Sequence, residues 1–427
     1  MFENRMVLQK VSYDFAKSFR HVRKSEPRGN KTFRRLYAAL PRLTPQEVTS
    51  VLQANEYTKE FSSTGSVKYY DSNQLASNNP IEDTRSEAQC LLTKGILLGV
   101  FDGHGGGACA QVVSKRLFHY ISACLLPPKI LQEYLTAVQS DKKLDNDLSN
   151  EALLQLNRKD AARTLAVAMS GTVAAVAHID GPHLHVAGVG DCKAVLGVLS
   201  ENDGWSAKIM TVEHNADNRA EVERILLEHP PNERSTVIKM ERLLGQLAPL
   251  RSLGDFRYKW SKDIMKRVVV PFLGETAIPP NYHSPPYLTA NPEVRYHRLT
   301  PRDKFLIIGS DGLWDLISPL QAVRLVGEHM SGKVTLSPLR LPRKNMKLSD
   351  INEMLLQRKE GLKKKPLDNN AATHLLRNAL GGTEYGIDHA KLSQLLTLPT
   401  EVVRIFRDDI TVTVVYMDSE FLRHCPS

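Results

Sequence analysis

Three apolar runs in this chain end in an aspartate beside a glycine: GILLGVFDG at Asp102-Gly103, LHVAGVGD at Gly190-Asp191 and KFLIIGSDG at Asp311-Gly312. A fourth reverses the order, with Arg407-Asp408-Asp409 ahead of ITVTVV. Short apolar runs between turn signals read as buried strands. If the four strands lie side by side, their ends gather carboxylates at one edge of a core. Carboxylates taken out of water without partners repel one another and are costly to desolvate. A cation therefore belongs among them, and an all-oxygen cluster suits Mg2+ or Mn2+.

Asp102-Gly103-His104 is the most specific local signal. Asp102 has two oxygens with which to bridge two cations, and Gly103, lacking a side chain, lets its carbonyl approach a metal. Asp311 and Asp408 add hard ligands from other strands, and Glu82 suits metal-bound waters, because Mg2+ keeps several. Two divalent ions about 4 Å apart share a water, lower its pKa and clamp both ends of an in-line displacement. The reaction such a site suits is hydrolysis of a phosphate ester. The leaving alkoxide needs a proton, and His104 is the candidate general acid; Asp83 is placed to orient the attacking water. A lone Asp-Gly after a strand is usually a turn, but three of them plus Asp408-Asp409 are harder to read that way. His183 and His185 alternate as metal ligands can, yet no third His or Cys stands at matching spacing, so they read as an exposed strand face. Trp314 reads as packing beside the site.

The elements that must position these residues follow from pattern. Thr44-Pro45-Gln46-Glu47 reads as a capped helix start, with the helix running to about residue 55. Residues 62–80 read as a polar loop leading to Glu82-Asp83, followed by the first apolar strand and a helix over 108–125. Residues 128–170 read as helical with a break near 140–150, then a hairpin over 171–179 and 183–189 and a strand over 193–199. Helices are expected over 213–228, 319–330, 370–380 and 390–396, and a closing strand over 410–416. Residues 262–290, with five prolines, read as an irregular insert, and the basic stretch 333–367, ending in the solvated run Lys363-Lys364-Lys365, as a surface insertion or disordered. Acids from position 82 to 409 must converge, so residues 41–427 read as one domain with insertions near 262–290 and 332–368. Blocks of strands and helices point to α+β with mostly antiparallel sheets.

The bulk numbers agree. The chain has 427 residues, 42% hydrophobic and 24% charged, as a globular protein requires. Its five cysteines are an odd number without a CxxC pair, which argues against a disulfide framework or a thiolate zinc site. No apolar stretch approaches the roughly 18 residues of a membrane span. Seven of the nine net positive charges fall in residues 1–40, which hold ten Lys or Arg against three acids. That segment has the composition of a mitochondrial transit peptide, or of a disordered basic tail that touches acidic lipid or RNA. No nucleic-acid reader motif accompanies the charge.

Glu82-Asp83, Val100-Phe101-Asp102-Gly103-His104-Gly105-Gly106, Gly190-Asp191-Cys192-Lys193-Ala194-Val195-Leu196, Leu250-Arg251-Ser252-Leu253-Gly254-Asp255, Ser310-Asp311-Gly312-Leu313-Trp314-Asp315 and Asp408-Asp409-Ile410-Thr411 resemble, in order, the motifs of the metal-dependent protein phosphatase 2C family. The resemblance implies an α-β-β-α sandwich of two mostly antiparallel sheets flanked by helices. Between the sheets it implies two Mg2+ or Mn2+ ions that hydrolyse phosphoserine and phosphothreonine. It implies Asp102 bridging both ions, the Gly103 carbonyl on one, Asp311 and Asp408 on the other, Glu82 and Asp83 acting through waters, His104 as general acid, and Asp191 at a third, weaker metal position. Many members carry an arginine four residues before the first-motif glutamate to hold the substrate phosphate; here that position is Asn78, a weaker donor than a guanidinium. Outside the metal motifs, the stretch from Asn73-Gln74-Leu75 to Pro80-Ile81-Glu82-Asp83, together with Pro285-Pro286-Tyr287-Leu288-Thr289-Ala290 and Asn370-Ala371-Ala372-Thr373-His374-Leu375, is similar to the mitochondrial pyruvate dehydrogenase phosphatase branch. That branch implies the mitochondrial matrix and, as partners, the phosphorylated pyruvate dehydrogenase complex, the lipoyl domain of its acyltransferase core with Ca2+ at the interface, and a regulatory subunit. The alternatives are a phosphatase of the same family acting on another phosphoprotein in cytosol or nucleus, and a non-catalytic scaffold.

Overall fold

The computed structural model describes residues 42–61, 65–90, 93, 95–141, 158–202, 204–341 and 346–425. The basic segment 1–40 and the expected break near 140–150 lie outside these, apart from the last two residues of a helix ending at Asp141. Two antiparallel sheets form the centre. One contains Tyr57–Glu60 (β1), Val67–Leu75 (β2), Lys193–Leu199 (β7), Trp205–Ile209 (β8), Asp303–Gly309 (β13) and Ile410–Met417 (β14), in the order β1-β2-β14-β13-β7-β8. The other contains Thr84–Gln89 (β3), Ile96–His104 (β4), Gly171–Asp180 (β5), His183–Val189 (β6) and Glu293–Arg298 (β12), in the order β12-β6-β5-β4-β3, with the short Leu253–Gly254 (β11) on the start of β5. A two-stranded ribbon, Ile238–Lys239 (β9) and Arg242–Leu243 (β10), stands apart.

Side-chain alternation along these strands builds the layers. Leu98 and Val100 of β4, Leu306 and Ile308 of β13, and Ala194 and Leu196 of β7 interlock between the sheets. Phe305 and Ile307 point the other way, with Ile410, Val412 and Val414, onto helices Pro45–Gln53 (α1), Pro319–Met330 (α6), Ala371–Gly381 (α8) and His389–Leu396 (α9). Leu97 and Phe101 meet Ala110 and Phe118 of helix Ala108–Cys124 (α2) on the far face of the other sheet. The result is the expected helix–sheet–sheet–helix sandwich. Its consequence for chemistry is one of parity: Asp102 follows Leu98 and Val100 by even steps and so turns inward, between the sheets.

Four local expectations are corrected. The polar stretch 62–80 contains a strand, β2, which is central rather than a loop. Two of its buried polar residues serve helix ends. Asp71 Oδ2 accepts from Ala371 N at 2.9 Å, and Asn73 Nδ2 donates to Leu52 O and Thr373 Oγ1, both at 2.7 Å. The helix expected from residue 213 starts six residues later, at Arg219, where the Asn218 side chain accepts from Glu221 N; Arg219–Glu228 is α5. Residues 262–290 are short helical turns whose Met265, Val268, Val269, Tyr282 and Tyr287 fill a satellite core with α5 and helix Arg158–Met169 (α4). The basic stretch carries a fifteen-residue helix, Leu348–Leu362 (α7), invisible to periodicity because Gly361 is its one fully buried residue. The helix Pro128–Asp141 is α3. No helix among the described residues is long and apolar enough to cross a membrane.

His374, inside α8, rests against His329 with ring centroids 4.7 Å apart. Burial pushes its pKa down to about 3, helped by His329 and Arg377. The unfolded chain, with a histidine near 6.5, binds that proton first, so this stability is fully present above about pH 6.5 and is lost as pH falls. Between about pH 6.5 and 4.5, His374→Gln is therefore expected to flatten the acid loss of stability by up to about 1.4 kcal/mol per pH unit, read from urea midpoints.

Candidate active site

The cleft opens where β4 and β13 end and β7 and β14 begin. Asp102 lies two residues before the end of β4, and Thr172 Oγ1 donates to its carbonyl at 2.9 Å. Asp311 starts the helical turn Asp311–Trp314 directly after β13. That turn is stapled to β14, since Ser310 N donates to Thr411 O at 3.1 Å and Ser310 Oγ accepts from Thr411 N at 3.0 Å. Trp314 is buried and donates Nε1 to Gly309 O at 3.0 Å and Lys193 O at 3.2 Å, locking the ends of β13 and β7 together. Asp191 sits in the turn into β7, and Asp408 leads into β14.

Asp409, next to Asp408, is the knot of the cleft. Its carboxylate takes Ser77 N, Asn78 N and Asn78 Nδ2, and its Oδ2 also takes Glu82 N at 2.8 Å. One buried acid thus ties residues 77–82 to the start of β14, and so presents Glu82 and Asp83. Glu82 Oε1 accepts from Gly106 N at 2.9 Å in the turn before α2. The two Asp-Gly glycines have a packing reason: a Cβ on Gly103 would lie 2.3 Å from Glu82 O, and one on Gly312 2.0 Å from Asp409 O. Each glycine lets the strand end bearing one acid press on the backbone bearing another.

The structure brings all the expected acids to this one region. Protein atoms crowd Asp102 and Asp311, and desolvation above all holds both well above the usual carboxylate range; the charges of Asp311, Asp83, Asp191 and Asp408 add to it at Asp102, and those of Asp191, Asp408 and Asp315 at Asp311, where a hydrogen bond with Asp102 works the other way. Burial, with Asp409 and Asp408 nearby, pushes Asp83 up to about 7, and burial pushes Asp191 up to about 6. Asp83 Oδ2 is buried without a hydrogen-bond partner. Among the described residues no three His, Cys, Asp or Glu side chains close on one point as a finished cage. The acids instead lie close enough to repel one another, and an orphaned buried oxygen among mutually repelling carboxylates is a donor set that fits hard divalent cations.

His104 lies near enough to Asp191 to lower the pull of burial on that acid. Its Nε2 lies 2.5 Å from Asp255 Oδ2. Asp255 is buried, in a left-handed conformation at φ 51°, and its Oδ2 also accepts from Ser252 Oγ at 2.7 Å. Lys259 braces the same turn by donating to the carbonyls of Ser252 and Gly254. The role of Asp255 was missed in the sequence, although it closes Leu250-Arg251-Ser252-Leu253-Gly254-Asp255; its 151-residue separation from His104 hides the pairing. Arg404 was missed as well. It meets Glu82 and Asp408, and its four-residue spacing from Asp408 was the available signal. His183 and His185 are exposed on β6, away from the acids, as expected.

Comparison with known proteins converges on this geometry. Human pyruvate dehydrogenase (acetyl-transferring) phosphatase 1, mitochondrial, is 42% identical over 459 residues, covering 90% of this chain and 86% of its own. The human phosphatase 2 of the same name is 40% identical over 447 residues, covering 88% and 84%. The rat phosphatase 1 is 42% identical, covering 90% and 85%. Residues 72–350, which contain all the acids of the cleft except those beside β14, match the family model described as Protein phosphatase 2C. The chain belongs to that family of metal-dependent serine/threonine protein phosphatases.

Proposed function

We propose that this chain removes phosphate from phosphoserine on the decarboxylase subunit of the pyruvate dehydrogenase complex, in the mitochondrial matrix, and thereby reactivates it. The observation that carries the chemistry is the crowding of Asp311, Asp83, Asp191 and Asp408 on the buried Asp102, with His104 beside Asp191. The relatives named above, at 40–42% identity over most of the chain, support the substrate and the organelle.

In this reading residues 41–427 form one catalytic domain. Asp102, the Gly103 carbonyl, Asp311 and Asp408 would hold two Mg2+ or Mn2+ ions, Glu82 and Asp83 would act on them through water, and Asp191 would serve a weaker third position. When bound, the ions supply an acidified water and neutralise charge on the phosphoryl group. Asp83 orients the water for attack on phosphorus as the bond to the serine oxygen breaks. His104 gives that oxygen its proton; with Nε2 held by Asp255, the proton leaves from Nδ1. Asp255 fixes the orientation of the imidazole. Asp255→Asn is expected to slow hydrolysis of a phosphoserine peptide by about 10²- to 10⁴-fold. Hydrolysis of p-nitrophenyl phosphate, whose leaving group needs no proton, should change far less.

Dephosphorylation of intact phosphorylated complex by the purified chain tests the substrate. Restored decarboxylase activity supports it, whereas turnover of phosphopeptides alone leaves only the family. Imaging of a carboxyl-terminal fusion with and without residues 1–40 tests the organelle. Docking to the lipoyl domain, Ca2+ at that interface and a regulatory subunit rest on the sequence resemblance, and lipoyl-domain capture with and without Ca2+ tests them.

A further inference from the structure

We propose that Arg404 is the residue that grips the substrate phosphate, entering the cleft from the segment before β14 to do the work of the arginine that many family members carry at position 78. This rests on the phosphomonoester reading of the cleft. The side chain at that position is the amide of Asn78, and its partners leave it little to offer a phosphate: Nδ2 donates to Asp409 Oδ2 at 2.8 Å, and Oδ1 accepts from Arg404 Nη1 at 2.6 Å. Asn78 is thus a bracket. It joins the knot at Asp409 to a guanidinium that lies 326 residues later in the chain.

Arg404 has the remaining attributes of a phosphate ligand. Nη1 lies 3.1 Å from Glu82 Oε2 and Nη2 3.7 Å from Asp408 Oδ2, so the group stands beside two of the acids. Its side chain is 47% exposed and within reach of an incoming ester. The contact to Asp408, whose side chain is 41% exposed, is solvated, the kind worth little and readily exchanged for a dianion. A planar fork can take two phosphoryl oxygens at once. Among the described residues, no other Lys or Arg is ion-paired to Glu82 or Asp408. Arg407, the neighbouring candidate, is engaged elsewhere, donating to Ser77 Oγ at 2.6 Å and Ala76 O at 2.7 Å. A phosphate dianion entering a group of carboxylates needs a cation on its outer oxygens, and Arg404 is placed to be that cation.

The test uses the full chain loaded with Mn2+. Calorimetric titration with inorganic phosphate and the KM for a phosphoserine peptide are measured for the wild type, Arg404→Ala and Arg404→Lys. Arg404→Ala should weaken phosphate binding and raise KM by about 10- to 100-fold, with kcat much less changed, and Arg404→Lys, a point charge without the fork, should fall between. Affinity for Mn2+, titrated separately, should stay within about threefold, because one rim contact to each acid is a weak interaction. Unchanged phosphate affinity in both variants overturns the proposal. So does a loss of Mn2+ affinity equal to the loss of phosphate affinity, which would assign Arg404 to the metal ligands. Failure of the wild type to hydrolyse phosphoserine would strike the phosphatase reading instead, and the phosphate titrations would still report on Arg404.

Discussion

Asp102→Asn lowers turnover of a phosphoserine peptide by at least about 10³-fold, the loss expected when several kcal/mol of cation-based stabilisation goes. The amide matches the carboxylate in shape, and the strand pairing with Val173 and the bond from Thr172 to the Asp102 carbonyl survive. What disappears is the acid that feels Asp311, Asp83, Asp191 and Asp408 together. The same substitution removes a repelling charge from a crowded place, so the metal-free variant should be more thermally stable than the metal-free wild type. Addition of Mn2+ should then raise its melting temperature by less. Kinetics and thermal melts with and without Mn2+ check both halves; an active variant, or one whose metal-free form melts lower, contradicts the account. Sites that hold repelling groups in readiness sacrifice stability for function.

Arg377→Met destabilises the fold by about 3–5 kcal/mol, a large part of the roughly 5–15 kcal/mol that holds a typical domain together. Arg377 and Asp368 form a buried two-pronged pair, with Nε and Nη2 reaching the carboxylate at 2.7 and 2.6 Å and side chains 3% and 0% exposed. Arg377 Nη2 also donates to Thr49 Oγ1 at 3.2 Å, which couples α8 to α1 on the helical layer. Removing the guanidinium strands a carboxylate away from water, which costs more than the pair itself contributes. Urea unfolding of Arg377→Met should show the full loss. The double variant with Asp368→Leu should recover much of it, since no charge is then left unpaired.

The residues that do chemistry were legible wherever a strand ran straight into them. Asp102 and Asp311 close apolar runs, and two-residue periodicity alone turns Asp102 inward. What alternation cannot show is a polar residue buried to serve a distant helix end, and β2 passed as a loop because Asp71 and Asn73 answer to Ala371 and Leu52. α7 was missed for the opposite reason: a helix with almost no buried face leaves no stripe to read. Asp255 and Arg404 share a third cause. Each acts on a partner more than a hundred residues away, His104 for one and Asn78 for the other, and only the fold makes them neighbours.

The position of β14 bears on when the molecule can become active. It is encoded near the carboxyl end, yet it lies in the middle of its sheet, between β2 and β13, and Asp409 beside it anchors Ser77 from 332 residues away. During translation, β2 and β13 emerge with nothing to bridge them, and the cleft stays open until the ribosome has added that strand. Such late, distant closure makes folding slow, and it also keeps every incomplete product harmless. A nonsense codon anywhere upstream should yield an inert polypeptide rather than an unregulated hydrolase.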